Sequence, residues 1–540
     1  MHNGPSRRLF IVVLVMMFVS IGTSVALIHF TFFRTAWQVM FGGGEWKMSY
    51  VLGLINQNYV DTIPAAGMED AAIVSLVSQL DPHSEYIPAS LLERVGEPLR
   101  GDFEGIGVTF NMLTDTVIVQ SVIQGGPSEK AGIQIGDRFL RVGQTTIAGV
   151  KMPQDSVVSL LRGPRGTTVE VEVERFGVPE PLPFSIVRDR IPISSVDAAY
   201  MANSTTGVIR LARFAQNTPQ DFRDAVVSLA ENGMERLVLD LRENGGGYLD
   251  AAHFIASQFL QRQQLIVYTE GRNRRRRDFY SDGEGVLRNI PLVVLIDEFS
   301  ASASEIVAGA IQDNDRALII GRRSFGKGLV QEQFDFPDGS GMRLTTARYY
   351  TPSGRCIQKP YRLGDAESYD GELENRWRHG EFLRADSVRQ DTLQRYQTTG
   401  GRTVYGGGGI MPDIFVPLDT TYNTAAYRRI ASRALHIRFA QRYVDAHRAE
   451  LEKCVHVEIL LQHLEFSPIL REFTTFLRQQ GITLTAAEME RIREPITTLL
   501  YANIGRGILG NEAYYPIMVA LDPTMQKALE VLREGKSFPL

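Results

Sequence analysis

Three short stretches hold residue types that do chemistry together once a fold gathers them. They are Asn244-Gly245-Gly246-Gly247, Ser300-Ala301-Ser302-Ala303-Ser304-Glu305 and Arg322-Arg323-Ser324-Phe325-Gly326-Lys327-Gly328. A serine hydroxyl is a weak nucleophile and needs an adjacent base. Histidine is the usual base, but His83 lies in a helical linker region and His253 on a helix, so neither sits in a comparable loop. A lysine serves when withdrawal from water lowers its pKa. Lys327, flanked by glycines and following the apolar run 317–320, is placed for that. A helix starting behind Ser302 adds backbone N–H groups and partial positive charge, and with the glycine loop it can supply an oxyanion hole. Each stretch also has a plainer reading. Ser302-Ala303-Ser304-Glu305 matches a capping box in which Ser302 only caps the helix. The glycine run is a turn. The stretch 321–328 nearly matches a phosphate-binding loop, but Gly328 stands where that loop needs Ser or Thr, and too few residues follow for a helix.

What would bring the three stretches together is the pattern around them. From 180 to 360, short apolar strands (207–211, 236–241, 291–296, 317–320) alternate with helices near 218–231, 249–261 and 303–312. That alternation predicts parallel βαβ units with helices covering the sheet. With right-handed crossovers the strands end on one edge, where ligands bind. The glycine, serine and lysine stretches all leave that edge.

The rest of the chain divides by composition. Arg7 and Arg8 precede an uncharged run over 9–33. Twenty helical residues at about 1.5 Å each span the roughly 30 Å hydrocarbon core. The basic flank predicts a cytoplasmic tail and an extracytoplasmic remainder, with a cleaved signal peptide ending near Ala26 as the alternative. Residues 1–44 thus form tail, anchor and linker, and 45–87 a helical segment. Residues 88–177 are β-rich, with 169–173 alternating as a half-buried strand. Residues 178–360 form the α/β core. Residues 361–419 are an insertion or loop that returns to the core, and 420–540 are helical, including a helix over 427–454. The run Arg274-Arg275-Arg276-Arg277 reads as a solvated loop that could also meet anionic lipid or an acidic partner. Cys356 and Cys454 have no metal-ligand spacing and leave one disulfide open. The 540 residues suffice for a core without staples, and a net charge of −5 argues against a general nucleic-acid binder.

These stretches resemble the carboxy-terminal processing peptidases, the S41 family of serine peptidases. The resemblance rests on residues 239–247, 299–306 and 324–328, with 80–86 and 408–414 beside them. Gly101-Asp102-Phe103-Glu104-Gly105-Ile106-Gly107-Val108 and 126–137 resemble the PDZ domain that the family carries. The resemblance implies a crotonase-like core with an inserted PDZ domain and a Ser–Lys mechanism without metal or nucleotide. By motif position Ser302 is the nucleophile, Lys327 the base and Gln331 the residue that orients the lysine. The oxyanion donors would be the N–H groups of Ala303 and of Gly246 or Gly247. Gly245 stands where the family often has proline, which implies a looser loop. Backbone N–H groups around Gly105, Ile106 and Gly107 can hold a terminal carboxylate while the tail adds as a strand beside Val108, and Arg162 could pair with that carboxylate. The function implied is an endopeptidase acting on C-terminal tails of extracytoplasmic proteins, periplasmic in a Gram-negative bacterium. The alternative is an inactive, membrane-tethered PDZ adaptor. The C-terminal helices would set a homo-oligomer or dock an adaptor.

Overall fold

The structure, a computed structural model, describes residues 45–63, 65–112, 115–389 and 393–536. The apolar run 9–33 lies outside the described residues, and among these no helix is long and apolar enough to cross a membrane. The chain divides into two units, residues 1–80 and 81–540. The described part of the first is two helices, α1 (Glu45–Asn58) and α2 (Ala65–Val77).

The second unit opens with strand β1 (Glu85–Ile87) and helix α3 (Ala89–Arg100), so the segment expected to be helical to 87 ends in a strand. A small β module follows. Strand β2 (Asp102–Gly105) is succeeded by β3 (Val108–Asn111), β4 (Val117–Val122), the short helix α4 (Pro127–Ala131), β5 (Arg138–Val142) and β6 (Thr145–Thr146). Helix α5 (Gln154–Leu161) then precedes β7 (Thr168–Glu174), β8 (Leu182–Val187) and β9 (Asp189–Pro192). The sheet order is β3-β4-β5-β7-β8, and β9 returns to pair with β2. The module therefore runs past the expected end at 177, because β8 supplies Ile186 to its core. In β7, Val169, Val171 and Val173 point inward between outward Thr168, Glu170 and Glu174, the two-residue period of a sheet with one dry face.

The core begins with β10 (Val196–Met201) and β11 (Thr206–Leu211), then α6 (Thr218–Glu231), β12 (Arg236–Asp240), α7 (Leu249–Ser257), β13 (Leu265–Gly271) and β14 (Arg274–Tyr280). It continues through β15 (Leu292–Ile296), α8 (Ala303–Asp313), β16 (Leu318–Gly321), β17 (Leu329–Asp335) and β18 (Gly341–Tyr350). The segment read as an insertion holds α9 (Ala366–Asp370), α10 (Glu372–Arg378) and a hairpin of β19 (Arg395–Gln397) and β20 (Thr403–Tyr405), and β21 (Ile414–Phe415) rejoins the sheet. The central sheet runs β10-β11-β12-β15-β16-β21, parallel from β11 onward. Both faces are covered. Leu292, Val294 and Ile296 pack with helices α6, α7 and α8, while Val293 and Leu295 pack on the opposite layer. That explains why β15 is apolar at every position. Each such burial stabilises by about 1.5–3 kcal/mol, and a charge at Val294 would break the layer.

A second sheet, β1-β18-β13-β14 with β17 on β18, is built from strands interleaved in sequence with those of the first. The run 274–277, expected to be a loop, is edge strand β14; Arg276 lies 3.7 Å over the Tyr268 ring, and Arg274 pairs with Glu332. The C-terminal part is helical: α11 (Ala425–Ala431), α12 (Leu435–Leu451), α13 (Val457–Glu465), α14 (Ile469–Gln479), α15 (Ala486–Leu509), α16 (Asn511–Met518) and α17 (Pro523–Arg533). The single helix expected over 427–454 breaks at Ala434, whose φ of 48° is left-handed. Helix α17 supplies Met525, Ala528, Val531 and Leu532 to the second face of the central sheet. Arg138 of the β module pairs with Asp445 of α12 at 2.5 Å. Cys356 and Cys454 are free thiols, so the disulfide left open is not formed.

Candidate active site

The three stretches do meet on the carboxyl edge of the central sheet. Gly245, Gly246, Gly247, Ser302, Lys327 and Gln331 line one cleft of about 1010 Å³, together with Ile306, Leu329, Arg343 and Tyr349. Helix α3 forms a wall of it through Ala89, Leu92, Glu93, Gly96, Leu99 and Arg100.

Ser302 sits between β15 and α8 with φ 54° and ψ −112°, a backbone state that a residue with a side chain adopts only under constraint. The constraint is Glu305. Its buried carboxylate accepts from the Ser302 N–H at 2.8 Å, as in a capping box. It also accepts from the Ser324 hydroxyl at 2.5 Å and from the N–H groups of Gly326 and Lys327 at 2.8 Å each. One carboxylate thus ties the serine turn to the lysine loop. Burial raises its pKa to about 7, and these four hydrogen bonds pull the other way. Tyr349 adds a second tie: its hydroxyl bonds the backbone carbonyls of both Ser302, at 3.1 Å, and Lys327.

Lys327 Nζ donates to Gln331 Oε1 at 2.9 Å, and the Gln331 amide N–H donates to the His83 carbonyl. No hydrogen bond links Lys327 Nζ to the Ser302 hydroxyl in this arrangement. Loss of water lowers the lysine pKa, helped by the Arg343 charge and opposed by Glu305, Glu85 and Asp81. His83, placed by sequence in a helical linker, lies in the turn before β1. Its ring bonds the Tyr369 hydroxyl at 2.9 Å, and burial, with the Lys327 charge second, lowers its pKa to about 4.

The oxyanion donors need one correction. The Gly246 N–H donates to the Asn244 side chain at 2.8 Å and is taken. The N–H groups of Gly247 and Ala303 have no acceptor among the described residues. Gly246 is required for another reason. At φ 99°, a Cβ there would sit 2.8 Å from Ser302 Cβ and 2.9 Å from the Ala303 nitrogen. Gly245 has open space around its missing side chain, so a larger residue would fit there.

In the β module, Gly105, Ile106, Gly107 and Val108 form the turn into β3, an edge strand that pairs only with β4 among the described residues. The Ile106 and Gly107 carbonyls accept from Ser128 and Ile123. Arg162 closes α5, stacks 4.5 Å over the Phe103 ring and pairs with Glu97 of α3. It is therefore engaged within the chain rather than open to a ligand carboxylate.

Residues 205–366 match the model of peptidase family S41, and residues 105–182 match the PDZ domain. A carboxy-terminal-processing protease of Bartonella bacilliformis is 37% identical over 309 residues, covering 56% of this chain and 70% of its own length. The chain belongs to peptidase family S41. A CtpA-like serine protease of Staphylococcus haemolyticus is 33% identical over 313 residues, 58% of this chain and 62% of its own. A solved photosystem II D1 C-terminal processing protease is similar at 32% identity over 59% of this chain and 84% of its own, with a TM-score of 0.35. Residues 426–510 of this S41 peptidase match a family of unknown function.

The sequence reading missed the wider role of Glu305, which it saw only as a cap, and it missed Tyr349 and the His83 carbonyl. The cap spacing could have flagged Glu305. Tyr349 belongs to an ordinary-looking strand 22 residues past the lysine, and nothing local marks it.

Proposed function

We propose that this S41 peptidase is an endopeptidase that captures protein C-terminal tails on its PDZ domain and cleaves near them. The observation that carries the reading is the shared anchoring of two loops: the Glu305 carboxylate binds the backbone N–H of both Ser302 and Lys327. Ser302 is the nucleophile, neutral Lys327 the base, and Gln331 orients the lysine, on a core read as crotonase-like. The Ser302 hydroxyl gives its proton to Lys327 and its oxygen bonds the peptide carbonyl carbon. The carbonyl oxygen takes the negative charge, facing the N–H groups of Ala303 and Gly247. Lys327 then protonates the leaving amine as the C–N bond breaks, and water hydrolyses the acyl-enzyme. At rest Lys327 Nζ makes no hydrogen bond to the Ser302 hydroxyl, so a side-chain shift precedes proton transfer while the bond to Gln331 is kept.

The tail adds as a strand on β3, its carboxylate at the Gly105–Val108 turn. Arg162 leaves Glu97 for that carboxylate. Arg162→Ala then removes activation by a tail, and unchanged tail-dependent activation removes this role. The length of the uncharged run over 9–33 supports an uncleaved single-pass anchor, and Arg7 and Arg8 before it support an extracytoplasmic catalytic part; membrane fractionation with N-terminal sequencing tests both. The C-terminal helices, where Val455, Ile459 and Phe466 are exposed, suit a homo-oligomer or an adaptor.

The deciding experiment incubates a tail-bearing protein with wild type and Ser302→Ala. Cleavage by wild type alone is expected. Cleavage surviving in Ser302→Ala refutes the nucleophile, and binding without cleavage by wild type favours an adaptor.

A further inference from the structure

The segment 359–381 lies outside the three motif stretches, yet it carries buried charges whose hydrogen bonds reach into the lysine loop. Arg376 is 4% exposed, and so is Glu381. Arg376 donates through Nη1 to the Ser324 carbonyl at 3.0 Å and through Nη2 to the Arg323 carbonyl at 2.7 Å, both in the lysine loop. Its Nε donates to Glu381 at 2.8 Å. The same carboxylate accepts two bonds from Arg323, at 2.7 and 2.8 Å, and Arg323 Nη1 reaches the Gly408 carbonyl at 2.8 Å. The Ser324 hydroxyl accepts from the Ile410 N–H at 2.6 Å and donates to Glu305. Two neighbouring carbonyls three and four residues before Lys327 are thus gripped by one guanidinium. A planar fork of fixed donors does this, and a lysine cannot.

The segment also reaches the other support of the lysine. Tyr369 is 3% exposed, and its hydroxyl meets the His83 ring nitrogen at 2.9 Å. The carbonyl of that histidine holds the Gln331 amide, which in turn presents Oε1 to Lys327 Nζ. Asp81 pins the same turn, accepting from the N–H groups of His83 and Ser84 and from Thr345 Oγ1 of β18. Lys359, 4.0 Å from both the Phe325 and Tyr369 rings, closes the layer between segment and loop.

We infer that residues 359–381 are a positioning clamp for the general base, in which Arg376 and Glu381 fix the lysine loop and Tyr369 fixes His83 and through it Gln331. This rests on Lys327 being the base. None of the three touches the reacting atoms. They hold Lys327 where Gln331 meets it and water is scarce. The clamp has two independent arms, so loosening either should let water reach Nζ without unfolding the core.

The test reads Lys327 itself and needs no turnover. Full-length wild type, Tyr369→Phe and Arg376→Lys are trace-labelled with acetic anhydride across pH, and acetylation of the Lys327 peptide is followed by mass spectrometry. Both variants should shift the labelling midpoint of Lys327 upward, toward an ordinary lysine, by about half a pH unit or more, while Lys47 keeps its midpoint. In the same preparations kcat for a fluorogenic peptide with a free carboxyl end should fall about tenfold with KM unchanged. Tyr369→Phe removes one oxygen and keeps the ring, so it decides the matter even if Arg376→Lys unfolds. A Tyr369→Phe midpoint identical to wild type overturns the clamp. Wild type that fails to cleave, with the midpoints shifted, overturns the peptidase reading of Lys327 and leaves the clamp standing.

Discussion

Glu305 is where burial and chemistry conflict most directly. An isolated buried carboxylate is costly, and this one is retained by donors from the serine turn and the lysine loop. A glutamine there has the same shape but turns an NH2 group toward donors. Glu305→Gln should therefore lower kcat about a hundredfold, which corresponds to ~2.7 kcal/mol, with KM little changed; steady-state kinetics on a tail peptide checks it. Lys327 gives a second expectation. The base must be neutral, and burial lowers its pKa, so kcat/KM should rise with pH and level off below the ordinary lysine value of 10.5. A rate still climbing above that value would show that Lys327 is not held in a dry site. His83 gives a third, through stability. Its folded pKa of about 4 lies below the ordinary 6.5. The unfolded chain then binds the proton first, so this contribution is full above pH 6.5 and is lost as pH falls toward 4. His83→Gln should flatten the decline of Tm between pH 7 and 4.5.

At the scale of elements, the glycine loop after β12 is held by packing and not by flexibility. Gly246→Ala would push a methyl group within 2.9 Å of the Ala303 nitrogen. It should cut kcat by about two orders of magnitude, because displacing the Ala303 N–H acts like removal of one oxyanion donor, roughly 10²–10³, and it should lower Tm as well, since the same methyl meets the Ala301 carbonyl oxygen at 2.7 Å; kcat and Tm both unchanged would show that the loop relaxes freely. The elements were legible where a local rule governs them. Strands β12, β15 and β16 are short apolar runs because both faces are dry, and helices α6 and α8 follow at crossover spacing. That put the serine and lysine stretches on one edge before any coordinates. What was not legible depends on distant partners. The clamp over 359–381 has a polar composition that reads as loop, and its charges are buried only because Arg323 and Arg376 both pair with Glu381. Strand β14 opens with four consecutive arginines, which no strand propensity favours; pairing with β13 and stacking on Tyr268 override it. The Asn244 side chain that occupies Gly246 was equally invisible, since spacing cannot say which N–H is free.

At the scale of the whole molecule, the helical C-terminal part is joined to the rest at several places, among them Asn511 and Tyr515 of α16 on Asp197 of β10. Helix α17 covers the second face of the central sheet, and Asp522 at its start accepts two bonds from Arg242 just before the glycine loop. A further join is Arg138–Asp445, between the β module and α12. Asp445→Ala should raise hydrogen exchange along β4 and β5 while leaving the central sheet protected. Helix α3 is the remaining connection. It forms a wall of the catalytic cleft on one side, and through Glu97 it holds Arg162 of the β module on the other. Binding equilibria joined through one such element are coupled in both directions. If Arg162 exchanges Glu97 for a tail as proposed, and the cleft gains from the tail, then the tail gains from the cleft by the same factor. A covalent acylating inhibitor on Ser302 should then tighten the grip of the distant PDZ domain on a free tail peptide, so that an enzyme caught in mid-reaction would be slow to let go of the protein it is cutting.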